Sequence, residues 1–139
     1  MKSNSRKQRS FRRGASAIEF ALIAPLMIMF TFGLVEIGRM MLVKQTATHA
    51  TREGARLAVR PTADSAEVIQ RVSEELALLS ITDATIETVP AVLEDATPGS
   101  EVTVRVSIDI SSVSWIPDWF DYDVTDIVAE SCMRRESTE

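Results

Sequence analysis

The strongest constraint on how this chain can fold is an apolar run near its start, broken by a single carboxylate. Between Glu19 and Glu36 lie 16 residues without a charge, "FALIAPLMIMFTFGLV". Adding Ala15–Ile18 lengthens the stretch to 21 residues, and Glu19 is its only ionisable group. A helix of about 20 residues, rising about 1.5 Å per residue, covers the hydrocarbon core of a bilayer. A membrane span over about residues 18–38 is therefore expected. A carboxylate at the bilayer centre costs about 2.5–3.5 kcal/mol on insertion scales, so the presence of Glu19 calls for a reason.

Charge sets the orientation. Residues 1–14 hold six basic groups, Lys2, Arg6, Lys7, Arg9, Arg12 and Arg13, and no acid. All 20 acids lie beyond them, against nine basic residues. A basic arm can bind nucleic acid, but one directly before an apolar run is the usual cytoplasmic flank of a membrane segment. The expected topology has the N-terminus inside and the rest of the chain outside the cytoplasm. Its 139 residues leave room for one modest domain plus this anchor. The run exits through Leu34, Val35, Glu36, Ile37, Gly38 and Arg39, which offer no small-x-small cleavage site, so the segment is expected to stay attached to the downstream chain. The single cysteine, Cys132, allows no internal disulfide. It reads as a small strand residue buried near the C-terminus.

Helical signals continue to Arg60, where Pro61 supplies a stop. One helix over 15–60 would be about 69 Å long, so its second half is expected to project into water. Pro25 inside the first half points to a kink, which membrane helices tolerate. On the projecting half, Ala47, Ala50, Gly54 and Ala58 form a strip of small side chains that would let a sheet or helix approach closely. Arg52, Arg56 and Arg60 share another face, either solvated or paired with an acidic surface.

After Pro61 a second helix is expected, with Asp64 and Glu67 as a capping box and Ile69, Val72, Leu76 and Leu79 as its apolar stripe. Residues 84–89 make a weak strand, and Pro98-Gly99 a turn. The clearest strand is 101–110, with Val102, Val104, Val106, Ile108 and Ile110 alternating against polar residues. A last strand is expected around Val124–Met133. The fold class is thus α+β: a long N-terminal transmembrane helix extending into a soluble domain with a second helix and a small antiparallel sheet of three or four strands.

No nucleophile elbow and no phosphate-cradling glycine loop is present. The only histidine, His49, lies on the projecting helix without a nearby cysteine and reads as a surface or sheet-facing residue. No catalytic constellation, cofactor or metal site is expected. Residues 115–126, "WIPDWFDYDVTD", combine Trp115, Trp119, Phe120 and Tyr122 with Asp118, Asp121, Asp123 and Asp126. Nucleic-acid binders interleave aromatics with basic residues, so this sign excludes that function. The carboxylates lack the central glycine of an EF-hand loop. The aromatics read as a cover for one end of the sheet or as an interaction patch for another subunit.

One arrangement accounts for Glu19. A cut after Gly14 would remove the basic leader and create an amine on Ala15, four residues before Glu19 and on the same helix face. In low dielectric the amine of one chain and the carboxylate of the next would neutralise each other and set the register between chains.

Gly14, Ala15, Ser16, Ala17, Ile18, Glu19 and Phe20, with basic residues before and an apolar helix after, resemble the class III signal of type IV pilins and pseudopilins. The wider stretch "RRGASAIEFALIAPLMIMFTFGLVEIGRMM", with Glu36-Ile37-Gly38-Arg39 and then Arg52-Glu53-Gly54-Ala55-Arg56, is similar to TadE-like proteins, the minor pseudopilins of tight-adherence (Flp/Tad) pili. The resemblance covers residues 12 to about 60 and leaves the sheet region unmatched. It implies processing after Gly14 by a membrane prepilin peptidase and a role for Glu19 in subunit packing. The implied partners are other pilin subunits, the inner-membrane assembly machinery and membrane lipid. The implied location is the bacterial inner membrane, followed by the surface pilus after assembly. Three segments are expected: a basic leader over 1–14, a long helix over 15–60, and a soluble α+β domain over 61–139. The roughly eighty residues beyond the helix favour a minor or tip-associated subunit over a bulk filament component. An uncut, single-pass anchor displaying a binding module is the alternative.

Overall fold

The structure, a computed structural model, describes residues 5–114 and 125–136, with side chains from residue 14 onward. The first helix, α1 (Ser5–Ala58), is 54 residues long and passes through Pro25. It begins upstream of the expected start at residue 15. Residues 5–13 are rich in Arg, Lys and Gln, all good helix formers, and extending an existing helix carries no nucleation cost. At the other end, the Arg60 amide donates to the Leu57 carbonyl at 3.1 Å, tightening the last turn before Pro61.

The chain divides at Ile37/Gly38 into two compact units. The described part of the first is helix, and its side chains from Gly14 onward are mostly apolar and exposed: Phe20 is 72 % and Leu22 74 % accessible. The second contains the remainder of α1, α2 (Ser65–Ala77), β1 (Ala84–Val89), β2 (Glu101–Asp109), the single-turn α3 (Ile110–Val113) and β3 (Asp126–Arg134).

The three strands form an antiparallel meander in the order β1-β2-β3. Val102, Val104, Val106 and Ile108 of β2 are fully buried, as their alternation demands. Each such side chain contributes about 1.5–3 kcal/mol on leaving water. Register aligns Ile86, Val106 and Ala129 in one inward-facing row, and Glu87, Arg105 and Glu130 in the adjacent outward one. Ile110 belongs to α3 instead of the strand. Asp109 caps that turn by accepting from the Ser111 amide at 2.7 Å, and the bonds from Ser111 hold its carboxyl below the ordinary value.

The small-residue strip of α1 packs on the sheet and α2. Ala47, Ala50 and Ala58 are completely buried. A Cβ at Gly54 would lie 2.5 Å from Val72 and 3.3 Å from Val104, so glycine is required by close approach. Lys44 Nζ of α1 donates to the Val128 carbonyl of β3, and just beyond the two elements the Glu136 amide donates to the Val59 carbonyl at 3.0 Å.

Two expectations are corrected. The buried stripe of α2 is Val68, Val72 and Leu76, while Ile69 is 38 % exposed. Asp64 caps α2 by accepting from Ala66 at 2.9 Å, which starts the helix at Ser65 and turns position 68 inward. Cys132 is exposed, although it lies on a strand as expected. Strand alternation explains this. Ile127, Ala129 and Met133 point inward, and their even-numbered neighbours point outward. The Pro98-Gly99 turn forms as expected, with Gly99 at φ +80° and the Ser100 amide donating to Thr97 at 3.0 Å.

Candidate functional site: the apolar helix and its flanking motifs

α1 carries the one helix segment among the described residues that is long and apolar enough to cross a membrane. Gly14, Ala15, Glu19 and Phe20 all lie on it and are exposed. Four residues separate Ala15 from Glu19, so the two occupy one face. Among the described residues Glu19 forms no hydrogen bond or ion pair. A Cβ at Gly14 would meet nothing within 4 Å. No packing among the described residues therefore calls for glycine there, although glycine in a helix interior costs about 1 kcal/mol relative to alanine. Gly54 is the contrasting case, because packing alone accounts for it.

The second cluster of sequence-predicted residues separates by environment. Glu36 is buried, Arg39 half-buried, and each has a polar partner. Gly38 faces open space. Arg52 is exposed, and Arg56 Nη1 pairs with Glu53 Oε1 at 3.3 Å while remaining largely solvated. A pair at this exposure is worth at most about 1 kcal/mol. The Arg-Glu-Gly-Ala-Arg stretch is thus a glycine and a buried alanine, Ala55, that let the helix seat, flanked by outward charges. Between α1 and α2 lies an open groove of about 440 Å³, lined by Glu53, Leu57, Arg60, Glu67, Gln70, Arg71 and Glu74.

His49 is exposed. No group of histidine, cysteine and carboxylate side chains suited to a metal ion occurs among the described residues. The patch of Trp115, Trp119, Phe120 and Tyr122, with Asp118, Asp121 and Asp123, lies outside the described residues.

One residue that organises the second unit belongs to no sequence motif. Arg135 is buried, with Nη1 donating to the Leu93 carbonyl and Nη2 to the Pro61 carbonyl at 2.9 Å. It ties the end of β3 to the α1–α2 connection and to the loop that buries Leu93. The alternation of β3 carries the signal for this. Position 135 continues the inward series of Ile127, Ala129 and Met133, whereas Arg134 continues the outward one.

With this geometry in hand, the comparisons with known proteins fall into place. Residues 14–56 match the family described as TadE-like protein, in agreement with the resemblance carried by the sequence motifs. The match begins at Gly14 and ends at Arg56, spanning the apolar helix and both charged motifs. No curated protein and no solved structure matches the chain.

Proposed function

We propose that the chain is a minor pseudopilin-type subunit of a tight-adherence pilus. In this reading it is inserted with its N-terminus inside, cut after Gly14 by a prepilin peptidase, and assembled with other pilins from the inner membrane. The observation that carries it is the TadE-like match over residues 14–56, which starts at the proposed cleavage residue. Three features support the finer steps. The six basic residues before the apolar run favour a cytoplasmic N-terminus. Gly14 meets no packing neighbour among the described residues, which fits a residue read by another protein. Glu19 lies on the face of Ala15, where a free amine would give it a counter-charge. In this scheme residues 1–14 are a leader, the helix from Ala15 is anchor and assembly element, and the α+β portion is displayed outside the cytoplasm.

The test is the mature N-terminus. Mass spectrometry of protein isolated from membranes of peptidase-positive cells should find Ala15 as the first residue. Recovery of Met1 or the arginine-rich leader alone would overturn processing. A second reading, an uncut anchor displaying a binding module, draws on the continuation of α1 upstream of Gly14 to Ser5. The same measurement separates the two.

A further inference from the structure

Outside the first unit, the chain carries 18 acids against nine bases in residues 38–139. Among the described residues, Lys44 donates to Val128, Arg71 bridges Glu74 and Glu75, Arg105 pairs with Glu130 at 3.2 Å, and Arg135 is buried. A solvated cationic strip runs along the last turns of α1 and just past its end, where Arg52, Arg56 and Arg60 follow one another at helical spacing after His49, and all four are exposed. Arg52 and Arg60 form no ion pair among the described residues, and Arg56 holds only its neighbour Glu53. Like charges stacked at i, i+4 and i+8 destabilise a lone helix. Glu53 offsets part of this at Arg56, and Arg60 borders the groove that also holds Glu67 and Glu74, while Arg52 has no such neighbour among these.

The outward face of the sheet has the opposite character. Cross-strand register brings Glu87, Arg105 and Glu130 into one row and sets Asp109 opposite Asp126. Glu101, at the far end, completes five exposed carboxylates, against Arg105 and Arg134. Val128 and Cys132 lie exposed on the same face. The cationic strip and the acidic face belong to different elements of one unit, so each can meet its complement on another copy.

We propose that the Arg52–Arg56–Arg60 strip of one copy docks on the acidic sheet face of a second copy, around Glu87 and Glu130. The two patches differ, so the contact is heterologous. Unclosed, it leaves a strip free on one copy and an acidic face free on the other, so copies join head to tail and not as a closed dimer. This deepens the pilus-subunit reading and rests on it, because a minor subunit seated beside another copy needs a directional contact. Electrostatic complementarity of this kind supplies orientation and register more than raw affinity.

Cys132, on the acceptor face, provides the probe. Two differently tagged full-length chains are co-assembled in neutral detergent micelles. One carries His49→Cys with Cys132→Ser, and the other is native at both positions. A short bis-maleimide should give a product containing both tags. Reversing Arg52, Arg56 and Arg60 to Glu in the first chain should cut the yield about tenfold. Changing Glu87→Lys and Glu130→Lys in the second should restore it. Circular dichroism identical to the parent establishes that the variants fold. Absence of the mixed product, or a yield indifferent to reversal, overturns the contact. In a second arm the micelles carry anionic lipid, and a yield that follows lipid charge and ignores the charges at 87 and 130 assigns the strip to a membrane surface and overturns the contact equally. The pilus-subunit reading is judged separately, on the Ala15 terminus.

Discussion

A carboxylate at position 19 contributes nothing to the stability of this chain through contacts among the described residues. It nevertheless lies five residues into the segment that matches TadE-like proteins. In the proposed reading its cost in lipid is offset by the amine that cleavage would create on a neighbouring subunit. Glu19→Val should therefore make membrane insertion easier while incorporation into filaments falls. The gain is less than the value of about 2.5–4 kcal/mol that insertion scales give at a helix centre, because Glu19 lies near the start of the span. The check is the fraction of variant in membranes against that in sheared pili. Normal incorporation of Glu19→Val would remove the pairing role. Arg135 presents the reverse case, a charge whose partners are all internal. Its two carbonyl acceptors, on Leu93 and Pro61, belong to distant turns that no local pattern brings together. Glu19 announces itself by interrupting an apolar run, whereas Arg135 is distinguished from Arg134 only by strand parity.

At the level of elements, the sequence is most legible where one period governs a whole segment. The strict alternation of β2 and the small strip on α1 both translate directly into burial. It is least legible where a single-residue phase decides the outcome. Ile69 and Val68 are both apolar and adjacent, and the start of α2 at the Asp64 cap determines which one turns inward. Cys132 misleads for the same reason, because residue type suggests burial while parity with Val128 and Glu130 dictates exposure. Gly54 tests the packing that the small strip predicts. Gly54→Ala gains about 1 kcal/mol of helix propensity but places a methyl 2.5 Å from a Val72 methyl. Overpacking costs about 1–3 kcal/mol, and valine is stiff at χ1, so a net loss of about 0–2 kcal/mol is expected in chemical denaturation. Gly54→Val should lose more. A double-mutant cycle with Val72→Ala should show a favourable coupling of about 0.5–3 kcal/mol, since the second change vacates the space the first requires. Strict additivity would mean that α1 does not sit on α2 at this point.

For the molecule as a whole, the division at Ile37/Gly38 separates two kinds of stability. The second unit is held by burial of Val72, Leu76, Leu93 and the inward face of β2, a core that draws its strength from water and melts cooperatively. Of residues 14–37 only Glu36 is buried. In the proposed membrane setting this helix is stabilised by the medium, because an amide freed in hydrocarbon has no water to bond and each such group costs several kcal/mol. Heating the full chain in nonionic micelles should therefore produce one calorimetric transition, as the second unit loses its packing. Far-ultraviolet ellipticity should fall only in part, leaving the helical signal of about 20–25 residues that a span requires. Removing the amphiphile should abolish that remnant of helix and bring aggregation through the exposed side chains from Ile18 to Leu42. Loss of all helical signal in the same transition as the calorimetric one would show that the apolar helix depends on the core of the second unit, and the reading of residues 18–38 as a self-sufficient membrane segment would fall with it.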